Sequence, residues 1–147
     1  MINFSVSQLI PVLQTAIGPV VLISGVGLLI LSMTNRLGRV IDRGRSLIRE
    51  LPQLHADIEI SRVRAQLKIL SHRARLLQLA IILASVSVLF AALLIIVLFI
   101  TALFGFENAW LISALFAAGL GALILSLVQF IRDLNQSLRA FSIDIGE

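Results

Sequence analysis

The sequence has no cysteine and no tyrosine. Without cysteine there is no disulfide, no thiolate nucleophile and no cysteine-ligated zinc or iron–sulfur centre. Histidine occurs only as His55 and His72. Neither has the further ligands nearby that a zinc site or proton relay needs, so both read as surface residues. Charge is scarce too. Charged residues make up 14% of the 147 positions and hydrophobic ones 59%, against roughly 25% and 45–50% in an ordinary soluble domain. A chain of this size in water exposes too much surface to cover with so few charges. Also missing are a phosphate-binding GxxxxGK loop, a GxGxxG fingerprint, an HExxH pair and a GxSxG elbow. The expectation is a protein that is not an enzyme, with no catalytic residue, no metal, no cofactor and no nucleic-acid partner.

The apolar residues form three blocks, at about 9–35, 76–104 and 109–131. Each exceeds the ~20 residues needed to cross a ~30 Å hydrocarbon core. The predicted fold is an all-α membrane protein with three transmembrane helices, residues 1–147 forming a single membrane domain. The first block is not expected to be a signal peptide, because Met1 to Gln8 hold no Lys or Arg.

Ten of the twelve basic residues lie between the first two blocks: Arg36, Arg39, Arg43, Arg45, Arg49, Arg62, Arg64, Lys68, Arg73 and Arg75. The other two, Arg132 and Arg139, follow the third. By the positive-inside rule the middle segment and the tail at 132–147 face the cytoplasm, and the N-terminus lies outside. Phe104, Phe106 and Trp110 flank the opposite turn, where aromatic rings favour the interface. Gly105 and Asn108 form that turn, and Glu107 or Asn108 is placed to cap the third helix.

Residues 36–75 read as an antiparallel helical hairpin that extends the first two spans into the cytoplasm. Leu37, Val40, Ile41, Gly44, Leu47, Ile48 and Leu51 give the first arm one apolar stripe, and Ile58, Val63, Leu67, Leu70, Ala74 and Leu77 give the second arm another. Pro52 stops the first arm and puts the tip near 52–57. Arg39, Asp42, Arg45 and Arg49 are spaced for weak intrahelical pairs. Asp42 can instead face Arg73 or Arg75 and fix the register of the arms. A solvated face is the plain reading of these charges. The functional reading is a collar for anionic lipid head groups or a partner, formed by Arg36, Arg39, Arg43, Arg73 and Arg75.

The spans hold hydroxyls and amides, Gln14 and Gln129 among them, but no charge. The hydroxyls can bond back to their own helices, whereas the amides need outside partners. Pro19 is placed to bend the first span. Gly18, Gly25 and Ser32 recur every seven residues in that span, and Ser113, Ala117 and Gly121 every four in the third. Both rows are candidate helix-packing faces.

The run TNRLGRVIDR carries a resemblance. With Thr34, Asn35, Arg36, Leu37, Arg39, Asp42, Arg43, Arg45 and Leu47, preceded by AIGPVVLISGVGLLIL from Ala16, the chain resembles the small bacterial membrane proteins grouped as domain of unknown function 2721. The likeness extends from the first span through the third. It implies a three-span protein of a bacterial inner or thylakoid-type membrane, and no activity. Asn35, Arg36, Asp42 and Arg43 mark this run as a boundary motif. Two functions are expected of such a chain. One is a non-enzymatic membrane protein that self-associates or serves as a small subunit of a larger membrane complex. The alternative is a homo-oligomeric channel, lined by Gln14, Thr15, Ser24 and Ser32 above a basic cytoplasmic vestibule.

Overall fold

The computed structural model describes residues 6–53, 56–105 and 109–145, with side chains described for 10, 11, 13–53, 56–105 and 109–136. Three helices account for nearly all of it: α1, Val6–Glu50; α2, Asp57–Phe104; and α3, Ala109–Ile145. Each is long and apolar enough to cross a membrane. At 1.5 Å per residue, the 45 residues of α1 reach about 67 Å. Its helix runs on through Pro11 and Pro19.

The boundaries follow from local chemistry. A 3-10 turn at Leu51–Gln53 closes α1 around Pro52, which has no amide hydrogen to continue the ladder. Ala56 O accepts the Glu59 and Ile60 amides to start α2, and Asp57 and Glu59 complement the positive end of its dipole. Gly105 ends α2 with φ of 69° and donates its amide to Thr101 O at 2.9 Å. That left-handed position favours glycine because it has no Cβ to clash. Phe104 and Trp110, on either side of the turn, are exposed. The expected interface residue Phe106 and the expected caps Glu107 and Asn108 lie outside the described residues, as does His55.

The third helix continues past the expected end of its span, through Ile145. The chain divides into two compact units: Met1–Ile30 with Leu83–Leu125, and Leu31–Ile82 with Ser126–Glu147. Each unit draws on all three helices.

Burial along each helix has a short period. On α1 the buried side chains are Val26, Met33, Val40 and Leu47, seven apart each time. On α2 they are Leu77, Ala80, Ala84, Ser87, Ala91 and Leu94, in alternating steps of three and four. On α3, Gly119, Ser126 and Asp133 are buried, again seven apart. A mean step of 3.5 residues is that of helices packed knobs into holes. Several knobs are Ala, Ser or Gly, which lets the backbones approach closely. In the first unit a Cβ added at Gly119 would lie 3.2 Å from Phe90 Cβ and 3.6 Å from Ser87 O.

This burial corrects parts of the expected stripes. Val40, Leu47 and Leu77 are buried, but Ile41, Ile48 and Ile58 are exposed. Ile60, two residues on from Ile58, is half-buried and begins the inward line that continues through Val63, Leu67, Leu70 and Ala74 in steps of three and four. The expected packing rows are mostly exposed, although Gly18 also borders a cavity with Ser87 and Gly119. Gly18, Gly25, Ser32, Ser113 and Ala117 are exposed, and Gly121 is half-buried with nothing within 4 Å of an added Cβ.

The Gly18 row belongs to a wider line on α1. Gln14, Gly18, Val21, Gly25, Leu28 and Ser32 are all exposed, and at 3.6 residues per turn they share one face. Val21 is 64% and Leu28 71% exposed. This face lies about 100° around the helix from Val26 and Met33. It alternates small and large residues, and among the described residues it is mostly uncovered, Gly18 at its edge bordering a cavity with Ser87 and Gly119.

Candidate functional site: a shared carboxylate and an arginine recess

In the second unit one carboxylate serves two helices. Asp133 on α3 is completely buried. Its Oδ1 accepts a hydrogen bond from Arg73 Nε on α2 at 3.1 Å, and its Oδ2 accepts one from Arg36 Nη1 on α1 at 3.4 Å. The Arg36 and Arg73 side chains remain 31% and 18% exposed. The Arg36 guanidinium also lies over the Phe130 ring, 5.6 Å from its centroid, where the ring's negative face attracts it. Seven residues before Asp133, Ser126 Oγ donates to Ala80 O at 2.7 Å, deep in the same unit.

The geometry follows from sequence spacing. Asp133 occupies the same line of α3 as Gly119 and Ser126, so its side chain is delivered inward. A lone buried carboxylate would cost several kcal/mol, and two guanidiniums that satisfy both oxygens offset this.

Beside the pair lies an open recess of about 260 Å³, lined by Arg36, Arg39, Val40, Arg43, Leu70 and Arg73. Four of the five arginines expected to meet a head group or partner are therefore brought together. Arg75 is exposed and does not line the recess. Arg39 and Arg43 are exposed, and among the described residues they have no carboxylate partner.

Asp42 does not take the expected role. It is exposed, and among the described residues it pairs with none of Arg39, Arg45, Arg73 and Arg75. It borders a separate hollow with Arg45, Ser46, Arg49 and Glu50, where two arginines face two carboxylates. Asn35, the start of the boundary motif, is exposed. Sequence reasoning missed Asp133 because the third span was taken to end at residue 131 and the rest was treated as tail. The available signal was its seven-residue spacing from Ser126.

Other polar groups sort as follows. Thr15 Oγ1 donates to Pro11 O at 2.9 Å and Ser24 Oγ to Val20 O at 3.2 Å, each within its own helix. Gln14 is exposed, while Gln129 is half-buried with its Oε1 enclosed and unpartnered among the described residues. Ser87 Oγ is likewise unpartnered and borders an apolar cavity of about 280 Å³ in the first unit, with Pro19, Ala91 and Phe116 among its walls. His72 is exposed beside Leu76, Arg132 and Asn135.

Three apolar helices of spanning length define a multi-pass membrane-type protein. Its sequence matches the family described as protein of unknown function (DUF2721) over residues 16–143, and the chain belongs to that family. No curated protein and no solved structure matches it.

Proposed function

We propose that the chain is a non-enzymatic integral membrane protein that assembles with further copies of itself through the open face of α1. In this reading the N-terminus is outside a bacterial inner or thylakoid-type membrane. The two arms at 36–75 stand in the cytoplasm as an antiparallel pair, and the C-terminal part of α3 lies on the same side. The charge distribution supports this orientation: all basic residues lie in those two segments.

The carrying observation is the bare line Gly18, Val21, Gly25, Leu28 and Ser32. Within the apolar stretch of α1 only 11% of residues are buried by the chain itself. The small residues leave hollows at the spacing that Val21 and Leu28 fill, so the face is complementary to a second copy of itself. Neighbouring copies gain close van der Waals packing, which is the main attraction between helices in lipid.

Crosslinking in native membranes, followed by mass measurement in a mild detergent, tests the reading. A discrete oligomer that Gly25→Leu reduces to monomer is expected. A wild-type monomer without partners sinks the proposal, and a stoichiometric foreign subunit moves it to the accessory-subunit form.

A channel is the second reading, favoured by the exposure of Gln14 and Ser32 on one side of α1, with Thr15 and Ser24 flanking them on opposite sides. Steady conductance of the purified oligomer in planar bilayers would support it. Silence across salts and voltages would remove it.

A further inference from the structure

We infer that the recess formed by Arg36, Arg39, Arg43 and Arg73 is a binding site for a phosphorylated group. The inference concerns the second unit and does not depend on self-association. Its lipid form rests on the proposed membrane placement.

Charge is the first argument. Four guanidiniums line the recess and, among the described residues, no carboxylate does. The carboxylate paired with its walls is Asp133, a single negative charge shared by Arg36 and Arg73. The hollow further along α1 sets two arginines against Asp42 and Glu50 and is balanced by its own residues. The recess therefore carries an uncompensated positive charge that the neighbouring hollow lacks.

Preorganisation is the second. Arg73 gives Asp133 only its Nε–H, leaving both Nη groups uncommitted among the described residues, and Arg36 gives only Nη1. The carboxylate fixes these two guanidiniums from behind, while Arg36 is also held against Phe130. Arg39 and Arg43 follow Arg36 at steps of three and four and complete the same side of α1. Planar guanidiniums donate paired N–H bonds that match phosphate oxygens, and several donors around one anion suit a tetrahedral phosphate. Val40 and Leu70 supply an apolar floor, which suits a group that carries carbon substituents beside its phosphate.

The shared chemistry is a phosphate mono- or diester. Its source is either the head group of an anionic lipid or a soluble phosphate compound. The test uses the full-length chain purified in an uncharged detergent, with binding followed by native mass spectrometry and by thermal shift. The probes are phosphatidylglycerol, zwitterionic phosphatidylcholine and inorganic phosphate. Two double variants remove the same formal charge: Arg39→Gln with Arg43→Gln inside the recess, and Arg45→Gln with Arg49→Gln outside it. Both pairs of side chains are exposed, so unliganded thermal unfolding should match the wild type and report intact folding.

The inference expects phosphatidylglycerol or inorganic phosphate to bind at least tenfold more weakly to the recess variant and within twofold of wild type to the other. Binding of phosphatidylglycerol alone identifies a lipid source, and binding of inorganic phosphate identifies a soluble one. Equal losses in both variants would mean diffuse charge attraction and overturn the proposal, as would undiminished binding to the recess variant or no binding of any probe to the wild type.

Discussion

Arg73 and Asp133, sixty positions apart on different helices, meet at 3.1 Å with the carboxylate wholly buried. Removing that carboxylate leaves two guanidiniums facing each other in a partly desolvated place. Asp133→Ala is expected to destabilise the protein by about 3 kcal/mol, at the low end for a buried pair because Arg36 and Arg73 reach solvent in part. Thermal unfolding in detergent reads this as a lower Tm. Replacing all three with apolar residues (Arg36→Met, Arg73→Met, Asp133→Leu) should recover most of the loss, since a well-packed apolar set often equals a buried ion pair. A triple variant less stable than Asp133→Ala would contradict that account.

Gly119 and Gly25 should respond oppositely to the same substitution. A leucine at Gly119 meets Phe90 and Ser87, and overpacking of this kind costs about 1–3 kcal/mol. A Cβ at Gly25 meets nothing within 4 Å among the described residues, so unfolding of Gly25→Leu should stay near wild type while oligomer mass falls. Stability and mass measured on both variants separate internal packing from assembly.

Ser126 donates into the side of α2 at Ala80 O. Loss of this bond in Ser126→Ala should cost about 1 kcal/mol. Ser126→Leu should cost more, because the residue is fully buried in a seam of small side chains. Amide exchange around Ala80 and Ala84 should rise in step with the lost stability.

Gly105 is the described residue with positive φ. Gly105→Ala should cost about 1 kcal/mol through strain in the left-handed region, with no change in oligomer mass. A stability equal to wild type would show that the turn relaxes to another conformation.

The natural absence of cysteine makes topology easy to measure. A single cysteine at Ser61 is expected to react with a membrane-impermeant maleimide only in inverted vesicles or opened cells. One at Trp110 should react from the opposite side. Reversed labelling would refute the proposed orientation.

Much of the architecture was legible because it depends on short-range rules. Unbroken apolar blocks gave three helices, and Pro52 and Gly105 gave two of the stops. The choice of inward face was harder. Several positions on each apolar helix are equally hydrophobic, so Ile58 was as plausible a contact as Ile60. Small-residue rows leave a related choice open: a row can serve the chain's own seam or an outer face, and Gly18, Gly25 and Ser32 are exposed. The four arginines that line the recess fall within one expected group, since three share one side of α1. Asp133 was harder to read, because its partners come from helices distant in sequence and its seven-residue spacing from Ser126 is the one local sign that it faces inward.

Having the shared carboxylate on the last helix also sets an order on biosynthesis. Arg36 and Arg73 leave the ribosome well before Asp133 does, so the nascent chain carries two uncompensated cations until α3 emerges. A chain cut short before Asp133 keeps the basic arms without the group that fastens them. Closure of this contact thus reports that translation has passed the third helix, and an unfinished chain exposes its defect as bare positive charge.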